Sequence, residues 1–382
     1  MKILVVADYF LPGHLAGGPI RTLKNMRDLT TDDVRMDIFT RDRDQGMPHS
    51  YNNRKSNDWY KDKKGKIFYA GKFRFSPFGL SSILKKEHYD LIYINSFFSL
   101  FGSILLVLYL KVWYRGAKIL LAPRGEFSKG ALTLKRKKKM TFIAIAKIAG
   151  LYKNIKWHAS TDMEKLDIQS CFPNSVENIF VAPDPVVINA NSANEVRSTK
   201  APGALSAVFI SRISPMKNLD GLLLLLEKVE SSVTLNVYGP LEDKEYWDKC
   251  ATIISTLPKN VNVVCHGPLP PELVSSVFAE HHVFLFPTHG ENFGHVIFES
   301  LRAGTPVILS DNTPWQEDEA RAIETYAISD IHGWLEALER YASYDQHTMN
   351  MKRVAAKAYA KKYVDDSDPK KHTIALFEWA TE

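Results

Sequence analysis

The sequence predicts an α/β protein built from two doubly wound units, and three observations carry that expectation. Its 382 residues, 45% hydrophobic and 24% charged, are enough for two cores at roughly 100–200 residues each. Short runs rich in Val, Ile, Leu and Phe alternate with segments of helical apolar spacing, the pattern of parallel sheets covered on both faces. The alternation is interrupted once, over residues 184–204, where Pro, Asn, Ser and Gly gather and periodicity is lost. That stretch reads as a linker.

In the first unit the expected strands are residues 2–7, 36–40, 90–95, 117–123 and 178–183, with helices over 20–29 and 132–152. The opening MKILVVADYF lacks a small-residue cleavage site and is broken by Asp8, so it reads as a first strand, not an export signal. Leu91 to Leu110 is a run of 20 uncharged residues, which reaches the length of a membrane-spanning helix. Asn95, Ser96, Ser99, Gly102 and Ser103 dilute it, and the expectation is a buried strand over 91–94, a turn, and an apolar helix over about 100–114.

In the second unit strands are expected over 206–211, 233–239, 261–267, 282–287 and 305–310, with helices over 217–230, 242–256, 271–279 and 293–303. The domains are set at 1–190 and 204–360, a final helix over 365–382 packing back on the first. Ligands of open parallel sheets sit at the carboxyl ends of the strands. Two such sheets facing each other would hold the site in the cleft between them.

Forty-nine basic and 43 acidic residues leave a net charge of +6, which suits anionic partners. Lys135, Arg136, Lys137, Lys138 and Lys139 form one basic run, and Lys61, Lys63, Lys64 and Lys66 form another, read as solvated faces. No basic–aromatic pattern for reading nucleic acid is present. The three widely spaced cysteines supply neither a disulfide framework nor a metal pattern, which points to a reducing, cytoplasmic compartment.

Three loops carry recognisable chemistry. After the first strand, Gly17 and Gly18 precede a helix, where backbone amides can approach an anion; a tight turn explains the pair equally well. After the first strand of the second unit, SRISPMKN places Arg212 and Lys217 where two cations can neutralise two phosphates, although a surface ion pair and a helix residue would look the same. The third loop, HGENFGHVIFES, follows the strand 282–287 and carries Glu291, Asn292, Phe293, Gly294, His295 and Glu299. A helix starting near Asn292 would turn the amides of residues 292–294 toward an anion. Glu291 at such a mouth suggests a partner hydroxyl or positive charge. Glu299, within an apolar stretch, could accept hydrogen bonds from a ribose diol. Asp42-Arg43-Asp44 has the spacing of a metal-holding aspartate pair but reads as a solvated loop, with no metal expected.

Together, Glu291 and Glu299 with seven residues between them in HGENFGHVIFESLRAGTPVI, the SRISPMKN segment and the Gly-Gly loop resemble the retaining nucleotide-sugar glycosyltransferases of GT-B architecture, in particular glycosyltransferase family 4. The resemblance is close over residues 205–315 and looser over 1–190. It implies two facing Rossmann-like domains, the first on the acceptor side and the second binding the donor. It implies that Arg212 and Lys217 hold the donor diphosphate, with amides near Phe293 and Gly294 completing the anion site. Glu291 would meet the donor sugar, Glu299 the ribose, and Gly17 and Gly18 would approach from the other domain. Asn292 and His295 fall in the same donor segment, and Gly239, Gly267 and Leu269 fall where the family's base pocket lies.

The resemblance further implies a nucleoside diphosphate sugar as co-substrate with no resident cofactor or metal, a carbohydrate or lipid-linked glycan acceptor, and a role in cell-surface polysaccharide assembly. Many members carry a histidine in an N-domain loop that here reads Ala-Pro-Arg-Gly-Glu-Phe, so Arg124 or Glu126 would meet donor or acceptor instead, with His14 a weak substitute. A lipid-linked acceptor would suit the apolar segment 140–149 that follows Lys135–Lys139, holding the enzyme on an anionic inner membrane face. An epimerase or phosphorylase of the same architecture, or a non-catalytic sugar-nucleotide or glycan-binding protein, would share these features.

Overall fold

The computed structural model describes residues 1–133, 135–187 and 199–382, so most of the expected linker, residues 188–198, lies outside the described residues. The chain divides into two compact units, Met1–Val186 with Ser367–Glu382, and Val187–Asp366.

Eight strands form the sheet of the first unit: β1 (Lys2–Val6), β2 (Arg35–Arg41), β3 (Asp58–Asp62), β4 (Gly65–Ala70), β5 (Leu91–Ile94), β6 (Ile119–Leu121), β7 (Lys156–Ala159) and β8 (Ile179–Val181). Their order is β3-β4-β2-β1-β5-β6-β7-β8, parallel except for the antiparallel pair of β3 with β4. The pleat sends alternate residues to opposite faces. Leu4 and Val6 of β1 therefore enter one apolar cluster while Ile3 and Val5 enter the other.

The helix Gly18–Leu29 packs Ile20, Leu23 and Met26 on the second face. The final helix, Pro369–Thr381, adds Leu376, Phe377 and Ala380 to that same cluster, with the Phe377 and Tyr93 rings 6.0 Å apart. The uncharged run separates as expected into β5, a π-helical turn Leu100–Ile104 and the helix Leu105–Trp113. Among the described residues no helix is long and apolar enough to cross a membrane.

The hairpin β3–β4 was not expected. Its basic residues are only partly solvated: Lys66 pairs with Glu87 and lies 4.3 Å over the Trp59 ring, and Lys64 donates to the Thr30 carbonyl at 2.7 Å.

The second sheet holds β9 (Ala204–Ile210), β10 (Ser232–Tyr238), β11 (Val261–Gly267), β12 (Val283–Phe286), β13 (Val307–Ser310) and β14 (Ile323–Tyr326). All pairs are parallel, in the order β11-β10-β9-β12-β13-β14. This is the 3-2-1-4-5-6 winding of dinucleotide-binding sheets, whose strand order reverses between the central neighbours β9 and β12. Loops leaving those two strands flank the place where such sheets bind ligands.

Candidate functional site

Both second-unit motifs lie at that reversal. The loop after β9 carries Arg212 and Lys217, and the loop after β12 carries Glu291. Backbone and side-chain bonds tie the two together: the His289 amide donates to the Met216 carbonyl at 2.9 Å, and Asn218 Nδ2 donates to the Pro287 carbonyl at 3.0 Å. Asn218 adopts a left-handed conformation, φ 55°, which turns the chain from the Pro215–Lys217 turn into the helix Leu219–Leu226.

The result brings Lys217 and Glu291 into direct contact, Nζ to Oε2 2.7 Å. Both are largely buried, the Lys217 side chain 9% and the Glu291 side chain 20% exposed. The carboxylate expected to need a positive partner has found one within the protein.

The helix after this loop begins at His295, not near Asn292, because Gly294 forms its N-cap at φ 82° and ψ 61°. That conformation favours glycine, and a Cβ there would lie 2.7 Å from Ile297 Cδ1 and 2.9 Å from Glu291 Cγ. The open first turn is therefore residues 295–297, three residues later than expected. Phe293 is buried beneath it, its carbonyl accepting a hydrogen bond from Trp315 Nε1 and its ring 5.4 Å from the Trp315 ring. The Glu291 amide donates to the Asn312 carbonyl at 3.1 Å, so residues 312–315, after β13, brace the whole loop. Glu299 stands on the helix one turn after His295 and is half-buried.

Arg212 is held differently. Ser211 and Ile213 donate their amides to the carbonyls of Tyr238 and Pro240, at 3.0 and 2.9 Å, which pins the loop to the exit of β10. Gly239 makes that approach possible: at φ 148°, a Cβ would lie 1.7 Å from the Ser211 carbonyl oxygen. Arg212 then pairs with Glu242 at 2.7 Å, half-exposed. Gly267 accepts from the Gly239 amide at 2.8 Å, and half-buried Leu269 follows two residues later.

In the first unit Gly17, φ 71°, caps the helix Gly18–Leu29, and its amide donates to the His14 carbonyl at 3.1 Å. Asp42 and Asp44 are not a solvated loop: both are buried. Asp44 accepts the amides of His14 at 2.8 Å and Leu15 at 3.1 Å, and Asp42 accepts from Arg43 Nε and Ser56 Oγ. The Asp44 carboxylate thus holds the approach to the Gly-Gly loop. Among the described residues no group of three or more His, Cys, Asp and Glu side chains is placed to hold a metal.

Arg124 and Glu126, expected near donor or acceptor, are instead built into the first-unit core. Arg124 pairs with Asp184 and donates to Asn95 Oδ1 at 2.7 Å and to the Tyr93 hydroxyl at 2.5 Å. Its side chain is 6% exposed, leaving no open face for a sugar. Glu126 accepts the amides of Phe97 at 2.6 Å and Phe98 at 2.8 Å and the Ser96 hydroxyl at 2.9 Å, while burial pushes its pKa up. His158, also in this network, donates Nε2–H to the Ala182 carbonyl, which can only accept. Its Nδ1 therefore accepts from the Tyr93 hydroxyl at 2.7 Å, and burial followed by the Arg124 charge lowers its pKa to about 3.

Sequence reasoning missed Asp184, Tyr93, Glu242, Asn312 and Trp315. Of these, Asn312 and Trp315 carried a signal, standing just after the motif segment that ends at Ile308.

The second unit has the winding of nucleotide-type α/β domains, and its lysine–glutamate pair stands between the two strand-end loops at the switch point. More narrowly, residues 192–356 match the family described as Glycosyl transferases group 1, and the two-unit fold is that of the GT-B glycosyltransferases. HepE from Anabaena, solved with UDP and glucose, is 16% identical over 99% of this chain and 98% of its own, with a TM-score of 0.67. Sucrose-phosphate synthase from Thermosynechococcus elongatus is 15% identical over 100% and 96%, TM-score 0.67. A UDP-forming α,α-trehalose-phosphate synthase from Burkholderia xenovorans, in complex with glucose-6-phosphate, is 11% identical over 100% of both chains, TM-score 0.71. At these identities the likeness is one of fold. None of the curated proteins matches the sequence.

Proposed function

We propose that the protein is a retaining glycosyltransferase that moves a hexose-type unit from a nucleoside diphosphate sugar to a carbohydrate or lipid-linked glycan in cell-surface polysaccharide assembly. The Lys217–Glu291 contact at the switch point is the observation that carries this reading. The HepE structure, solved with UDP and glucose, and the UDP-forming synthase favour a nucleotide-sugar donor here.

In this reading Lys217 and Arg212 leave Glu291 and Glu242 to neutralise the diphosphate, and the open amides at the start of the helix His295–Ala303 share that charge. Glu291, released from Lys217, meets the donor sugar, and Glu299 meets the ribose. The acceptor hydroxyl attacks on the face from which the phosphate departs, and the leaving phosphate takes its proton. The anomeric configuration is kept without a covalent enzyme intermediate. Gly17 and Gly18 bring backbone amides to the donor, and the base lies against Gly239, Gly267 and Leu269. No resident cofactor or metal takes part, and Lys135–Lys139 meet an anionic membrane on its cytoplasmic side.

A thermal-shift screen with UDP-, GDP-, ADP- and TDP-sugars tests the donor step, because a ligand that binds only the folded state raises its melting temperature. Proton NMR of the product's anomeric centre then tests retention. An inverted anomer refutes the front-face route, and binding without nucleotide release from any donor and acceptor pair leaves a sugar-nucleotide-binding protein. Full activity in chelator is expected.

A further inference from the structure

Helices covering a sheet ordinarily turn a polar side to solvent. Three helices on one face of the first sheet also turn large apolar side chains outward. Pro77–Leu84, Leu105–Trp113 and Arg136–Ile148 each bury one side in the same core cluster, through Leu80, Val107 and Ile143 among others. Their outer sides expose Phe78 (80%), Trp113 (67%) and Ile148 (90%), together with Leu108, Val112 and Ile145. The Phe78 ring lies 6.0 Å from Tyr109, which stacks on Trp113 at 5.1 Å and so makes one surface of two helices. Lys111, the only charged residue of the second helix, is turned away: its Nζ donates to the Lys153 carbonyl at 2.6 Å, fastening this helix to the turn after the third.

The same stretch of chain is strongly basic, although Arg124 is buried and Lys118 and Lys156 donate to carbonyls of the final helix. Between Asp90 and Asp162 thirteen lysines and arginines accompany one carboxylate, Glu126, which is spent on backbone amides inside the core. This stretch carries +12 in a chain of +6, so the remainder is net acidic. Arg136, Lys137, Lys138 and Lys147 are exposed, and among the described residues none pairs with a carboxylate. Lys139 is the exception within the basic run, folded back onto the Ala131 carbonyl and the Phe98 ring.

Exposed apolar side chains spread over several helices and bordered by unpaired cations fit one surface well, that of an anionic lipid bilayer, where apolar insertion and headgroup attraction add. We propose that this three-helix face docks the protein on anionic membrane, with Phe78, Trp113 and Ile148 entering the headgroup boundary and Arg136–Lys138 and Lys147 meeting lipid phosphate. The inference deepens the membrane part of the function proposed above by naming its footprint, and its test needs neither donor nor acceptor.

The full chain is floated with vesicles of phosphatidylcholine alone and with about 30 mol% phosphatidylglycerol. The wild type is expected to float only with the anionic vesicles, Lys137→Ala to partition about five-fold less, and the pair Trp113→Ser, Ile148→Ser about ten-fold less or weaker. On adding anionic vesicles the tryptophan emission of the wild type shifts to the blue, and the shift is reduced in Trp113→Phe. Failure of the wild type to float, or flotation of the Ser pair like wild type, overturns the proposal. So does sedimentation showing a dimer that the Ser pair abolishes, which would give the face to a second copy. Donor-induced thermal shifts must stay unchanged in every variant; they report the sugar-transfer reading separately from the docking.

Discussion

Lys217 Nζ and Glu291 Oε2 lie 2.7 Å apart although 74 residues separate them in the chain. Each is the other's counter-ion, which lowers the cost of keeping a buried lysine in place. Donor phosphate would compete with Glu291 for the same ammonium group. Lys217→Ala is accordingly expected to lower kcat/KM by about 10²–10³, and Glu291→Ala to lower kcat more than it weakens donor binding. Nucleoside diphosphate release under steady-state conditions, with donor Kd from calorimetry, separates the two.

Arg124 and Asp184 form a buried pair, their side chains 6% and 5% exposed. Removing one charge leaves the other stranded in the core, which typically costs about 3–5 kcal/mol. Arg124→Met and Asp184→Asn should each lower the urea midpoint, and the double variant should lose less than the sum of the singles. A stable Arg124→Met with a raised acceptor KM would return this residue to the active site.

Gly239→Ala places a methyl 1.7 Å from the Ser211 carbonyl at a φ of 148°. Main chain must move, and the Arg212 loop moves with it. About 3 kcal/mol or more of stability is expected to go, with weaker donor binding in whatever fraction remains folded; circular dichroism melting and calorimetry give both readings.

Two buried histidines make the protein acid-sensitive. Burial lowers the pKa of His158 to about 3 and that of His282 to about 4, below the ordinary 6.5 of an exposed chain. Between those values the unfolded chain binds protons that the folded chain refuses, so stability is full above about pH 6.5 and falls as pH drops toward 4 in the second unit and 3 in the first. Each histidine contributes about 1.4 kcal/mol per pH unit to that slope. Urea midpoints at pH 7 and pH 5 should show the loss, and His282→Gln should flatten it.

The central strands of both sheets were legible in the sequence because they are buried on both faces and read as unbroken apolar runs. β3 was not: DWYKD is an exposed edge strand whose Trp59 alone packs inward, and nothing in its composition separates it from a polar loop. β7 (KWHA) and β14 (IETY) lack the unbroken apolar run that marks their equally short neighbours.

At the site, Lys217 and Glu291 could be picked from type and position, since each follows a strand at a helix entry. Their contact could not, because it depends on the Met216–His289 and Asn218–Pro287 bonds between distant loops. The helix start was misplaced by three residues because Gly294, not Asn292, supplies the left-handed cap. Arg124 and Glu126 looked like binding residues for the same reason that they are good core residues. A charged side chain after a strand is read as exposed unless its partners, here Asp184 and the amides of Phe97 and Phe98, are visible.

The helix Pro369–Thr381 completes the core of the first unit after the second unit has been traversed. During synthesis the second unit, contiguous in the chain, has all its parts before the first does. The second unit is therefore complete in the chain while Ile20, Leu23 and Met26 still wait for Leu376 and Phe377. A chain cut before Pro369 would keep every part of the second unit and leave the first unit's cluster without Leu376, Phe377 and Ala380.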